Sequence, residues 1–362
     1  MNLKHYTVVF FSFIVISVVA TSCKDDDDKP IITSDYAATP YDLKIPLDYP
    51  PMDVPSDNLT TEEGVELGRK LFYDPILSGD NTQSCGSCHN QAVGFTDNGK
   101  QFSTGINGSV GTRNSMALIN LGWGRFFFWD GRDQSLETQA KEPVTNPIEM
   151  HDTWPNAISK LIAHPDYPGL FKRAFNIDSE DIDSMYVAKA IAQFERTLIS
   201  GNSKFDQKMR GEATFTAQER LGESVFFTEK GDCFHCHGTR LFTDNVFHNN
   251  GLQETIEDPG LGGITGKPSD MGLMRTPTLK NVAVTGPYMH DGSIETLEEV
   301  VEFYNSGIHQ NSPNVDVLML KANRPEGQLN LTLLEKEALV AFLHTLTDST
   351  FLQNPDFAPP LD

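Results

Sequence analysis

The 362-residue sequence predicts an all-α fold of two tandem domains, each organised around one covalently attached group. Three observations carry this prediction. Two short patterns, Cys85-Gly-Ser-Cys88-His89 and Cys233-Phe-His-Cys236-His237, each join a pair of cysteines to a histidine. Four sequence blocks recur in the same order in both halves. The first and last of these blocks have apolar residues near helical spacing, and no segment sustains the alternation of a strand.

The N-terminus reads as an export signal over residues 1–22. Lys4 precedes an apolar run from Val8 to Ala20 that is too short to span a bilayer. Ala20-Thr21-Ser22-Cys23 looks like a bacterial lipoprotein signal, in which Cys23 is lipidated and becomes the new terminus; cleavage nearby that leaves a stray thiol is the alternative. The expected location is the cell envelope, on the periplasmic side, with a lipid anchor in the outer membrane. Asp25 to Asp28 resembles the acidic signal of surface-displayed lipoproteins, and is otherwise a solvated or tag-like stretch. Residues 23–57, rich in Pro, Asp and Tyr without helical period, predict an acidic tether. A formal net charge of −22 argues against nucleic acid and favours cationic or neutral partners.

Apart from Cys23, the cysteines all fall in the two patterns. A disulfide framework explains the pairs but not the adjoining histidines. A zinc ribbon keeps its cysteine pairs close, whereas these lie 148 positions apart (233 − 85). Neither pattern has the βαβ context of a thioredoxin-type pair. Cysteines about one helical turn apart instead reach the two vinyl groups of one haem c. Cys85 and Cys88 then hold one haem and Cys233 and Cys236 the other, with His89 and His237 as iron ligands. His235, inside the second pattern, reads as a surface histidine.

The repeated blocks organise the chain. Leu67-Gly68-Arg-Lys-Leu71-Phe72-Tyr73 pairs with Leu221-Gly222-Glu-Ser-Val225-Phe226-Phe227, and the haem patterns follow. Trp129-Asp130-Gly131 through Glu137 aligns without a gap on His290-Asp291-Gly292 through Glu298. Ala190 to Leu198 aligns likewise on Ala338 to Leu346. Thr60-x-x-Glu63 and Thr332-x-x-Glu335 offer capping boxes for the flanking helices. The expected result is two cytochrome c-like domains, each around one haem c: residues 58–205 and 206–350, separated near Gly201-Asn202-Ser203, with a tail over 351–362.

The duplication also ranks the two irons. Extending the second alignment sets Tyr304 opposite Pro143; tyrosine can ligate iron and proline offers no donor. The second haem is therefore expected to be closed and the first open. Gln139 and Glu149 follow the same block in the first half. A carboxylate there could carry a proton between the two oxygens of a bound peroxide, although such residues are usually solvent-facing. Met271, Met274 and Met289 are rivals to Tyr304.

At these residues the chain resembles the di-haem bacterial cytochrome c peroxidases and the related MauG proteins, from about Leu59 to Leu346. The resemblance rests on both haem patterns, Gly94-Phe95-Thr96-Asp97, Arg113-Asn114, Phe128 to Arg132, Gln139, Pro147 to Met150, Pro277-Thr278-Leu279-x-Asn281 and Pro287-Tyr288-x-His290-Asp291-Gly292. It implies that the first haem is peroxidatic, that Trp129 lies on the electron path between haems, and that Gln139 and an essential Glu149 line the peroxide pocket. It implies a calcium ion held by the Asn114 side chain and the backbone carbonyls of Thr285 and Pro287, and a homodimer as one common state. Two departures favour the MauG arrangement: the loop Gly105 to Gly111 contains no histidine, and Tyr304 stands where such peroxidases usually have methionine.

The leading reading is reduction of hydrogen peroxide with electrons from a small cytochrome c or similar donor. The alternatives are a MauG-like oxidase acting on Trp or Tyr of a partner protein, and a di-haem electron carrier.

Overall fold

A computed structural model describes residues 38–321 and 327–361. The signal segment, Cys23 and the acidic run lie outside the described residues. Among those described, no helix is long and apolar enough to cross a membrane.

Helices supply nearly all the regular structure. The first half holds α1 (Glu62–Tyr73), α2 (Cys85–Cys88), α3 (Leu136–Gln139), α4 (Glu142–Thr145), α5 (Trp154–Ala163), α6 (Tyr167–Phe175) and α7 (Ser184–Thr197). The second holds α8 (Lys204–Met209), α9 (Ala217–Phe226), α10 (Phe234–His237), α11 (Gly262–Thr265), α12 (Leu297–Glu302) and α13 (Leu333–His344), with α14 (Ser349–Leu352) following. Two-residue strands, β1 (Phe247–His248) and β2 (Met274–Arg275), form one antiparallel pair.

Each half is built on the same helix crossing. In α1, Leu67, Gly68, Leu71 and Phe72 are buried, and α7 lies across them. A Cβ on Gly68 would sit 1.9 Å from the carbonyl oxygen of Ala190. In the second half a Cβ on Gly222 of α9 would meet Ala338 O of α13, also at 1.9 Å. The repeated glycines let the two backbones touch, which no larger residue permits. Behind each crossing the chain repeats again: Asn120 N–H donates to Leu198 O at 2.9 Å and Asn281 N–H to Leu346 O at 3.0 Å. Both asparagines take left-handed backbone angles.

Local signals hold with one correction. Thr332 and Glu335 form the expected capping box, but α1 is capped by Thr61, whose side chain accepts from Gly64 N–H. Glu63 turns outward instead, accepting from Thr39 N–H and Oγ1. The chain ahead of α1 runs antiparallel to it there, and this tertiary contact captures the carboxylate.

Residues 38–57 are not a free tether. Tyr49 is buried and its hydroxyl donates to Ser200 O at 2.8 Å. Trp123 Nε1 donates to Pro50 O, and Asp48 pairs with Arg240 of the second half. The break near Gly201 falls between α7 and α8, yet Phe205 of α8 packs with Phe226, Phe242 and Phe342 of the second half. All of α8 therefore packs with the second half, so a division between residues 205 and 206 falls inside this helix, whereas Gly201-Asn202-Ser203 lies just ahead of it. The C-terminal segment returns to the first half, where Phe351 and Phe357 join Phe72, Phe95 and Phe194. Arg69 Nε donates to Ala358 O and Tyr73 Oη to Phe357 O, both at 2.6 Å.

Candidate active site

The two Cys-x-x-Cys-His segments occupy equivalent places. Each forms a single helical turn, and all four thiols are free. His89 Nδ1 bonds Phe95 O at 2.7 Å, and His237 Nδ1 bonds Phe242 O at 2.8 Å. A carbonyl only accepts, so both Nδ1 atoms carry the proton and both Nε2 atoms keep their lone pairs for a metal. Burial lowers the pKa of both imidazoles, which favours this neutral form. Phe95 and Phe242 take left-handed angles that aim these carbonyls. Gly94-Phe95-Thr96-Asp97 and Leu241-Phe242-Thr243-Asp244 thus form a further repeated block. The repeated Phe-Thr-Asp was readable in sequence, but its role as the hydrogen-bond acceptor was not.

These features fit a haem at each site, and the second site has the clearer cavity. Cys233, Cys236 and His237 line it together with Tyr304, Met289 and Met274. Met271 is not among the lining residues. Tyr304 stands on a π-helical turn, Phe303–Gly307, that continues α12. Such turns re-aim one side chain, often at functional positions. Asn250 Nδ2 donates to Tyr304 Oη at 3.2 Å and approaches Met289 Sδ at 3.5 Å. Burial pushes the Tyr304 phenol up to about 12; coordination by a ferric ion would supply the charge needed to ionise it. His248 lines the same cavity and is clamped by Asp244 at 3.0 Å and Asp316 at 2.5 Å. The Asp244 bond first, then the Cys236 thiol and the Asp316 bond, push its pKa up to about 11 against the opposing effect of burial. His235 is at the surface beside Asp232 and Glu229.

In the first half, α3 and α4 carry Gln139 and Pro143, and the chain then folds back. Met150 N–H donates to Pro143 O at 3.2 Å, which brings the Glu149 segment against Pro143. Glu149 is half-buried and accepts from Asn146 Nδ2 at 2.7 Å. Desolvation raises its pKa, with Arg132 opposing. It acts electrostatically on the Cys85 thiol. Gln139 is half-buried on the last turn of α3. The loop Gly105 to Gly111 lies over this segment, with Ile106 N–H donating to Glu149 O at 3.0 Å. Asn107 of the loop bonds His151.

Between the halves stand the equivalent residues Trp129 and His290, ring centroids 6.4 Å apart in an edge-on contact. Trp129 Nε1 donates to Asn114 O at 2.9 Å, and its own carbonyl accepts from Arg275 N–H at 2.8 Å. Arg113 ties the halves together, reaching Asp130 at 2.5 Å and Asp258 at 2.6 and 2.7 Å. Trp129, Asn114, Thr285 and Pro287 all line the cavity that contains His237. Among the described residues the carbonyls of Thr285 and Pro287 and the Oδ1 of Asn114 accept no hydrogen bond. Three hard oxygen donors therefore remain available to a cation such as calcium.

Comparison with known proteins gives the family. Residues 62–214 match the family model described as di-haem cytochrome c peroxidase. The chain is 37% identical over 296 residues to the methylamine utilization protein MauG of Methylorubrum extorquens, covering 81% of this chain and 80% of that one. It is 35% identical to cytochrome c551 peroxidase of Nitrosomonas europaea, covering 82% of each. A solved MauG-like protein associated with microbial copper homeostasis superposes with a TM-score of 0.80 at 36% identity, over 88% of this chain and 99% of the other.

Proposed function

Because the chain belongs to the di-haem cytochrome c peroxidase family, we propose that it reduces hydrogen peroxide to water, with electrons from a small cytochrome c or similar donor. The reaction consumes one peroxide, two electrons and two protons and yields two waters. Two haem c groups would supply the redox chemistry, one open to peroxide and one storing an electron. The observation that carries the reading is the unequal equipment of aligned positions: Tyr304 lines the His237 cavity, and the sequence repeat sets Pro143 opposite it in the first half.

The side chains take separate tasks. Cys85, Cys88, Cys233 and Cys236 form the thioethers, and His89 and His237 present Nε2 to iron. Tyr304 closes the second site, and the first stays open beside Glu149 and Gln139. Glu149, held by Asn146, accepts a proton from one peroxide oxygen and returns it to the other. Gln139 offers an amide to hold the substrate. Trp129 bridges the second cavity to the first half. Calcium held by Asn114, Thr285 and Pro287 would stiffen this bridge. Cys23 is the proposed lipid anchor, placing the enzyme at the periplasmic side of the envelope, and a homodimer is a natural assembly to test.

A second reading, oxidation of Trp or Tyr on a partner protein, is favoured by Tyr304 and by the absence of histidine from Gly105 to Gly111. Peroxide turnover with a reduced small cytochrome c, compared between wild type and Glu149→Gln, separates the two. Abundant turnover that the substitution abolishes supports the peroxidase; negligible turnover in both supports the second reading. An EPR spectrum of the resting ferric protein without any high-spin signal would refute the open first site.

A further inference from the structure

The last repeated block contains one position where the halves differ in kind. Ala190 to Leu198 aligns on Ala338 to Leu346 at an offset of 148 (338 − 190), the same offset as the haem patterns. Within this frame Glu195 matches Leu343. Leu343 is buried and lines the His237 cavity. The same crossing of glycine helix and terminal helix carries both residues, so the repeat sets Glu195 at the first-half position that corresponds to Leu343, next to Phe194, which packs in one cluster with Cys85. The effect of Glu195 on the Cys85 thiol agrees with this placement.

Glu195 is an expensive residue to bury. It is 4% exposed, and its Oε2 has no hydrogen-bond partner among the described residues. The neighbouring Arg196, whose guanidinium is bonded to Glu137 of α3, offsets this only in part: burial outweighs its charge. The charged and titratable groups that bear on Glu195 are thus Arg196 on its own helix, Glu137 of α3 and Cys85 of α2. Cys85 loses its proton permanently once it is a thioether. A carboxyl in such surroundings is stabilised in its neutral, protonated form.

Resting on the two-haem reading above, we propose that Glu195 is a proton-holding residue of the first haem site, taking up one proton from solvent as one electron enters that site. The step balances: one electron arrives from the donor, one proton crosses from solvent to the carboxylate, and net charge is unchanged. Glu149 moves a proton between peroxide oxygens and supplies none, so the two protons consumed must be delivered from elsewhere. Glu195 holds one in advance. The second site stores electrons without consuming protons, and there the same position is leucine. Burial pushes the Glu195 carboxyl up to about 8, within range of neutral pH.

Spectroelectrochemical titration of the first haem against pH tests this on the intact di-haem protein. Reduction and protonation favour each other reciprocally, so the wild-type potential is expected to fall as pH rises between about 7 and 9. Each tenfold fall in proton concentration converts to at most about 59 mV for one electron. Glu195→Gln flattens the slope, Glu195→Asp retains it, and Glu195→Leu, which copies the second half, flattens it too. A flat wild-type potential, or an equal slope in Glu195→Gln or Glu195→Leu with both haems attached, overturns the proposal. Haem stoichiometry is read in the same samples: a chain lacking haem at Cys85 and Cys88 would defeat the two-haem reading instead.

Discussion

Substitution of Asp206 by Asn should destabilise the second half far more than the loss of one surface charge. Lys280 and Asp206 are both fully excluded from solvent, with Nζ 2.5 Å from Oδ1. Lys280 is enclosed by Tyr49, Phe205 and Phe242, its Nζ 5.4 to 5.7 Å from their ring centroids. The Phe242 carbonyl orients His237, so the pair underlies the proposed ligand of the second site. Asp206 Oδ2 also accepts from Ser203 N–H and Oγ, a cap that asparagine can retain through its oxygen. Asp206→Asn therefore isolates the charge. Breaking a buried pair from one side costs about 3–5 kcal/mol. At about 2–4 °C per kcal/mol for a domain near this size, the melting midpoint should fall by roughly 6–20 °C. Burial already depresses Lys280, and without Asp206 it falls further below its unfolded value. The unfolded chain then binds the extra proton, so the deficit is largest at low pH and shrinks as pH rises towards the unfolded lysine value. Circular dichroism melts of haem-loaded protein, with Lys280→Met/Asp206→Asn as partner, provide the assay; the double variant should recover most of the loss. A shift below about 2 °C, or no recovery, would refute the reasoning.

Four further outcomes are expected. Tyr304→Phe should alter the low-spin EPR signal of the second haem, and an unchanged spectrum would transfer the ligand role to Met289, the neighbour sharing Asn250. Glu149→Gln should lower peroxide turnover about 10²–10⁴-fold; because its pKa is raised, wild-type turnover that needs the ionised form should fall with decreasing pH starting above 4.5, a limb absent from the variant's pH profile. Gly222→Ala must separate α9 from α13, since its Cβ would lie 1.9 Å from Ala338 O; chemical denaturation should show a loss of about 3 kcal/mol or more. Chelation by EGTA should lower the melting temperature of wild type, and Asn114→Ala should remove most of that difference.

The expectation of two haems was legible because Cys-x-x-Cys-His is local: one helical turn sets the spacing of both sulfurs and the imidazole. The duplication was legible because the repeated glycine crossing tolerates only glycine, which preserves Gly68 and Gly222 at matched places. The role of Asp206 and Lys280 was not, since partners 74 positions apart carry no local pattern. Nor was the fate of residues 38–57, whose Pro-rich composition reads as a spacer although Tyr49 is buried against Ser200. Composition reports backbone preference; it is silent on which surface the chain meets.

By itself, then, the sequence carried the two Cys-x-x-Cys-His patterns and the contrast of Tyr304 with Pro143, all matters of residue type at fixed local or repeated spacing. Tertiary structure alone decided which carbonyl aims each imidazole, that Trp129 and His290 meet between the halves, that the C-terminal segment returns to the first core, and that the buried Oε2 of Glu195 has no hydrogen-bond partner among the described residues. Those depend on how distant segments desolvate one another, and burial is a property of the packed chain that no single stretch of residues contains.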